Sequence, residues 1–199
     1  SLGGLMSPGP ISKSHDHRSF KDGNHLLVCG TNSEITRRQI KTLVEGYPYE
    51  EIALDPGMLT DEHRRDVFLE STSLVRSKLS AKHIVVTIDV SQQSGVSARQ
   101  LKQSQAAQAM IRGLGRFLAA VMAETRPGLL FLTGGDTADA VMTAAGAEGI
   151  RILGEVTTGV VQGTLIGGPQ DGLPVVTKAG AFGGDDTLVV LHEAWQGNG

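Results

Sequence analysis

The stretch Leu129-Leu130-Phe131-Leu132-Thr133-Gly134-Gly135-Asp136-Thr137-Ala138 constrains this chain more than any other. Four consecutive apolar residues predict a strand buried on both faces, as in a parallel sheet, where neither face has room for polar alternation. The two glycines that follow let the backbone turn sharply and come close to a ligand. Asp136 and Thr137 then stand where a helix cap is expected, ahead of Ala138-Asp139-Ala140-Val141-Met142. A helix start exposes unpaired N–H groups and a partial positive charge, which suits a phosphate. The turn is neither a P-loop nor a G-x-G-x-x-G fingerprint. Every α/β protein needs tight strand-to-helix turns, so by itself this one leaves a structural role and a phosphate cradle equally open.

The same unit recurs along the chain. Residues 25–29 predict a strand, and Gly30-Thr31-Asn32-Ser33 a polar turn with Asn32 or Ser33 as N-cap. The helix that follows carries Ile35, Ile40, Leu43 and Val44, with Gly46 suited to its C′ position. Residues 51–54 read as a short strand ended by Asp55-Pro56-Gly57, and Asp61 caps a helix that turns Phe68, Val75 and Leu79 inward. Residues 83–88 are a third strand, with Asp89 at its end. Ser97 and Gln100 fit a capping box for a long helix that buries Leu101, Ala107, Met110, Leu114, Phe117 or Leu118, and Val121. After the central strand and turn, a helix runs to about residue 145, closed by Gly146, and residues 150–153 form another strand. From Gly154 the pattern changes to short strands at Val156, Val160-Val161, 164–166 and 173–177, a glycine-rich turn over 178–184, and a last strand over 188–191. Strands alternating with helices imply a mainly parallel sheet with right-handed crossovers. The expected fold is α/β, a three-layer sandwich with a Rossmann-like sheet and extra short strands at the C-terminal end.

Composition narrows the function classes. Glycine accounts for 26 of 199 residues, about twice the usual ~7%. Most of the excess falls after residue 112, where backbone must turn tightly or approach something closely. A formal net charge of -3 gives no support to a nucleic-acid partner. The single cysteine, Cys29, excludes an internal disulfide and fits a reducing compartment. No apolar run nears the ~18 residues of a membrane span and no signal-peptide pattern is visible, so the expected location is cytoplasmic. Residues 1–24 read as a flexible linker or expression remnant, and residues 25–195 as the folded domain. His15 and His17 form an H-x-H pair, but no cysteine or third histidine lies near it in sequence. His25, His63, His83 and His192 are scattered and read as surface or packing residues, so no metal-ligating set is expected. Ser33 lacks the G-x-S-x-G elbow of a hydrolase.

In open parallel sheets, ligands gather outside the carboxyl ends of the strands. The polar turns at 30–33, 89–95, 134–137 and 178–184 all fall at such ends. Glycine amides, hydroxyls, a lysine and a carboxylate are the inventory for an anion accompanied by a metal ion.

Three segments together resemble the C-terminal nucleotide-binding domain of the four-carbon acid sugar kinases, a family long labelled a domain of unknown function. Gly30-Thr31-Asn32-Ser33-Glu34-Ile35-Thr36, followed by Arg37-Arg38-Gln39, is similar to the family's G-S-x-S-x-x-T turn. Thr133 to Ala138 matches its T-G-G-D-T-A turn. Gly172-Leu173-Pro174-Val175-Val176-Thr177-Lys178-Ala179-Gly180-Ala181-Phe182-Gly183 matches its G-L-x-V-V-T-K-A-G-G-F-G segment. Gly154-Glu155-Val156 and Gly159-Val160 resemble a further G-E-V-x-P-G-V stretch. The chain departs from these patterns at Thr31, Thr158 and Ala181. A positive φ at Ala181 would strain an alanine.

The resemblance, over roughly residues 25–192, implies the ATP-binding domain of a kinase acting on threonate, erythronate or a 3-oxo-tetronate. ATP, with Mg²⁺, is the implied cofactor. It implies nucleotide contacts at Ser33, a phosphate cradle at Gly134, Gly135, Asp136 and Thr137, and a closing turn at Lys178, Gly180 and Gly183. In that family the acid sugar binds mainly on a separate N-terminal domain, which this chain lacks. No catalytic base is therefore named, the chain alone is expected to be inactive, and a homodimer stays open. A non-catalytic nucleotide- or phospho-metabolite-binding module would carry the same motifs.

Overall fold

Strand β1 (His25–Cys29) and strand β4 (Leu129–Thr133) lie side by side and parallel at the centre of a seven-stranded sheet, with Leu27 opposite Phe131. All ten of their residues are buried. The computed structural model describes residues 22–30, 33–89 and 105–196. Beside β1 and β4 run β2 (Tyr49–Leu54), β3 (His83–Ile88), β5 (Gly149–Thr157), β6 (Val160–Ile166) and β7 (Pro174–Lys178). The order across the sheet is β2-β3-β1-β4-β7-β6-β5. The first five in that order are mutually parallel, while β7, β6 and β5 form an antiparallel meander.

Among the described residues, six helices cover the two faces: α1 (Glu34–Gly46), α2 (Pro56–Thr60), α3 (Arg65–Leu79), α4 (Gln105–Met122), α5 (Gly135–Ala144) and α6 (Thr187–Trp195). Because side chains alternate along a strand, each apolar run feeds both layers. Leu26, Val28, Leu130 and Leu132 pack with Leu59, Val75, Phe117 and Val141 from α2 to α5. Leu27, Cys29, Leu129 and Phe131 pack with Ile40 and Leu43 of α1 and Leu188, Leu191 and Trp195 of α6. The fold is thus the expected α/β sandwich.

The differences from expectation lie near the C-terminus and at helix ends. The region read as short strands is a hairpin of nine- and seven-residue strands that extends the sheet. Residues 188–191, read as a last strand, form part of helix α6. A run of four apolar residues fits either element. Leu188, Leu191, His192 and Trp195, all buried, complete an i, i+3, i+4, i+7 stripe that only a helix places on one face. Gly46 ends α1 inside the helix, with Tyr47 as an extended C-cap. Gly146, by contrast, does close α5 with φ 69°. Asp55 caps a short helix, α2, where a turn was expected, and Asp61 caps a 3-10 turn ahead of α3. Thr31, Asn32, the turn residues 90–95, the Ser97–Gln100 box, Leu101, His15 and His17 lie outside the described residues. Among the described residues, no helix is long and apolar enough to cross a membrane.

Two glycines of α4 let neighbouring helices approach it closely. A Cβ at Gly113 would run into the Leu59 carbonyl of α2, and one at Gly115 into the Ala140 carbonyl of α5. Gly113→Ala and Gly115→Ala should each lower the unfolding free energy in urea by about 1–3 kcal/mol through overpacking. Gly46→Ala, where a Cβ meets nothing within 4 Å, should be neutral or stabilise by about 0.4–1 kcal/mol.

Candidate functional site

The chain leaves β1 for α1 on one face of the sheet and leaves β4 for α5 on the other. The carboxyl ends of two adjacent strands therefore open toward opposite sides, as at the switch point where α/β sheets take their ligands. Cys29, Thr133 and Lys178 lie in one row across β1, β4 and β7 at that end. Burial pushes the Cys29 thiol up to about 12, so it is neutral there.

At the end of β4 the N-cap of α5 is Gly134, with φ 94°, a conformation that favours glycine. Its N–H donates to the Lys178 carbonyl at 2.9 Å, which binds the two turns together. This corrects the expectation that Asp136 or Thr137 caps the helix. Both stand in its first turn, and no side chain caps it, so the first amides of α5 face outward. Gly135 and Asp136 are exposed, and Thr137 is buried against Gly30 at the end of β1. The hydroxyls of Thr133 and Thr137 are buried without a hydrogen-bond partner among the described residues. Buried hydroxyls without partners are uncommon, and two beside an open helix start fit a polar ligand.

Ser33 is the N-cap of α1, as one of the two expected alternatives had it. Its Oγ accepts from the Thr36 N–H at 3.1 Å and lies 2.7 Å from the Thr36 hydroxyl. Thr36 Oγ1 in turn donates to the Gly180 carbonyl at 2.9 Å. Buried Gln39 donates from Nε2 to the carbonyls of Phe182 and Gly184, at 3.0 and 2.8 Å. Arg38 pairs with both carboxylate oxygens of Asp185 at 2.9 and 3.1 Å. Thr36, Arg38 and Gln39 thus tie the glycine-rich turn to α1. All three fall within the segment quoted from the sequence, but their partners lie about 145 positions away and leave no local signal.

Lys178 is only 3% exposed. Its Nζ donates to the carbonyls of Ala179, Gly180 and Phe182 at 2.9–3.0 Å, and burial pulls its pKa down to about 8. The lysine therefore sits beneath the turn and organises it. The turn is held from α1 and from Lys178. Within the turn, the Phe182 N–H donates to the Ala179 carbonyl at 3.1 Å. Ala181 takes no positive φ; Gly183 does, at 88°, with its α-carbon packed on Thr187. The hairpin tip joins the same end, since the Ala179 N–H donates to the Gly159 carbonyl at 3.0 Å and Gly159 lies against Phe182.

The four segments quoted from the sequence thus meet at one end of the sheet. Three of the four histidines read as scattered also converge, but at the opposite end. His25 and His83 open β1 and β3, His192 sits on α6, and His63 stays on the exposed 3-10 turn.

Gln39→Leu should lower the unfolding free energy by about 1–3 kcal/mol and raise amide hydrogen exchange over residues 179–184 more than elsewhere. Lys178 carries a pH signature. The unfolded chain holds its proton up to 10.5 and the folded chain only up to about 8. Between those values the unfolded state binds more protons, so rising pH favours folding. Lys178→Met should remove that share of the rise in stability measured between pH 8 and 10.

Comparison with known proteins places the chain in a family. The family model described as a nucleotide-binding C-terminal domain matches residues 26–188. The chain is 33% identical over 175 residues to a D-threonate kinase of Salmonella typhimurium, spanning 82% of this chain and 40% of that protein. It is 26% identical over 171 residues to a D-erythronate kinase of Heliobacterium modesticaldum, spanning 81% of this chain and 39% of that one. It superimposes, with a TM-score of 0.69 and 30% identity, on a domain of unknown function from Bordetella bronchiseptica crystallised with citrate as a domain-swapped dimer. That superposition covers 87% of this chain and 41% of the other. The chain thus spans about two fifths of the length of these relatives. It belongs to the family of nucleotide-binding C-terminal domains of the four-carbon acid sugar kinases.

Proposed function

We propose that this chain is the ATP-binding domain of a kinase that phosphorylates a four-carbon acid sugar of the threonate, erythronate or 3-oxo-tetronate type. The observation that carries the reading is the meeting of α5's open N-terminus, the α1 cap and the Lys178-held turn around two buried, unpartnered threonine hydroxyls. Kinases named for threonate and erythronate among the relatives support the substrate class.

Phosphoryl transfer asks mainly for positioning and charge neutralisation. The amides of Gly135, Asp136 and Thr137 are suited to phosphate oxygens, with the Thr133 and Thr137 hydroxyls as further donors. Lys178 supplies positive charge from beneath the turn, whose amides, at Gly180 and Gly183 among others, close over the phosphates. Ser33 contributes by holding the start of α1 in place. Mg²⁺, for which Asp136 is the carboxylate at hand, would neutralise charge on the phosphates. In this reading residues 25–195 are the nucleotide half of a cytoplasmic two-domain enzyme. The acid sugar and its base belong to an N-terminal domain, and the domain-swapped Bordetella relative supports a homodimer.

Calorimetry tests the assignment. The chain should bind ATP and ADP yet turn over no tetronate by itself. Absence of binding at millimolar nucleotide would sink the nucleotide reading, and turnover would sink the division of labour. Asp136→Asn should weaken Mg-ATP by roughly tenfold, about 1.4 kcal/mol, and leave metal-free ADP nearly unchanged. Equal losses for both ligands would remove Asp136 from the metal.

A further inference from the structure

The amino-terminal edge of the sheet, away from the nucleotide turns, holds a cluster that the kinase reading does not use. His25, Tyr49 and His83 are the first residues of three neighbouring strands, with Tyr49 in register with His83. His25 and His83 share the parity of Leu27 and Val85, so both face the layer of α1 and α6. From that layer α6 brings His192. One ring nitrogen from each of the three histidines lies within 4.8 Å of the other two. The ring centroids are 4.3, 5.8 and 6.0 Å apart. His25 is fully buried, His192 is 5% exposed and His83 is half-buried, which leaves a route in from solvent.

We propose that His25, His83 and His192 bind a divalent transition-metal ion of the zinc class. Three imidazoles from three elements, converging within ligand reach, are a donor set that a borderline-soft ion favours and that Mg²⁺ and Ca²⁺ do not. Burial lowers the pKa of His83 and His192, which keeps them in the neutral form that ligates. Tyr49 stands as the outer partner. Its hydroxyl lies 2.9 Å from His25 Nδ1 and 3.0 Å from His192 Nδ1, so it orients both rings. Burial pushes its own pKa well up, so it acts as a phenol and leaves the fourth position to water. His83 Nδ1 accepts from the His25 N–H at 2.8 Å. An ion taking His83 Nδ1 would displace that hydrogen bond. The ion would staple β1 and β3 to α6, a structural role remote from the nucleotide turns.

The test uses the whole chain, stripped with chelator and dialysed against Zn²⁺. About one equivalent of zinc should remain by elemental analysis. The thermal midpoint should rise by about 5–10 °C at zinc roughly a hundredfold above its dissociation constant. His83→Ala and His192→Gln should each abolish both effects, and Tyr49→Phe should weaken zinc about 10- to 100-fold. A His15→Ala/His17→Ala variant should keep the equivalent. Co²⁺ bound to the unmutated chain should show the visible absorption of a low-coordinate nitrogen site, displaced by Zn²⁺; this needs no variant to fold. No retained zinc, no such cobalt spectrum, or zinc lost with His15 and His17 and kept without His83 would each overturn the proposal.

Discussion

The structure depends on one constraint: β1 and β4 are covered on both faces, so the polar backbone at their carboxyl ends has only one way out. Of the ten buried residues in these two adjacent strands only His25 and Thr133 are polar, and the chain turns out of the sheet at Gly30 and Gly134. The helices that follow then depart to opposite faces of the sheet. A switch point there results from burial and chain direction, before any ligand is considered. The glycines of α4 serve the same packing, because close approach at Gly115 brings the middle of α5, at Ala140, against α4.

At that switch point, buried polar groups do the shaping. A glycine-rich turn has little side-chain packing of its own and would sample many conformations. Here Thr36, Gln39 and Lys178 engage its carbonyls from below, and Arg38 holds Asp185 at its rim. The same contacts explain why a lysine at the end of β7 is buried. Three carbonyl acceptors offset the cost of bringing its charge out of water, and desolvation still lowers its pKa to about 8. The lysine's contacts build the turn.

Helix α6 links the two ends of the domain. Its first residue, Thr187, donates its N–H to the Gly184 carbonyl at 3.2 Å in the glycine-rich turn, and its last turn carries His192 into the histidine cluster. Trp195 packs on Phe131 of the central strand with ring centroids 5.8 Å apart, anchoring the helix between those ends. A helix in that place seals one face of the sheet along its length.

The layers, the parallel core and the position of the polar turns were legible in the sequence. Apolar runs at β1, β3 and β4, with glycine and cap residues after them, are local signals governed by backbone geometry. Ser33 as N-cap and Gly134-Gly135 as the sharp turn belong to that class. The run at 188–191 was not legible, because four apolar residues fit a strand or a helix until Trp195 is known to be buried with them. Nor was the burial of Lys178, whose neighbours in sequence are small and polar. The meeting of His25, His83 and His192 was hidden as well, since their separations of 58 and 109 positions carry no ligand spacing. Short-range preferences are written residue by residue, and so the sequence alone determined most of the elements, but not the helical state of 188–191 or every helix end. Which distant groups face each other depends on strand order and on which face each helix covers, and only the tertiary structure decided that.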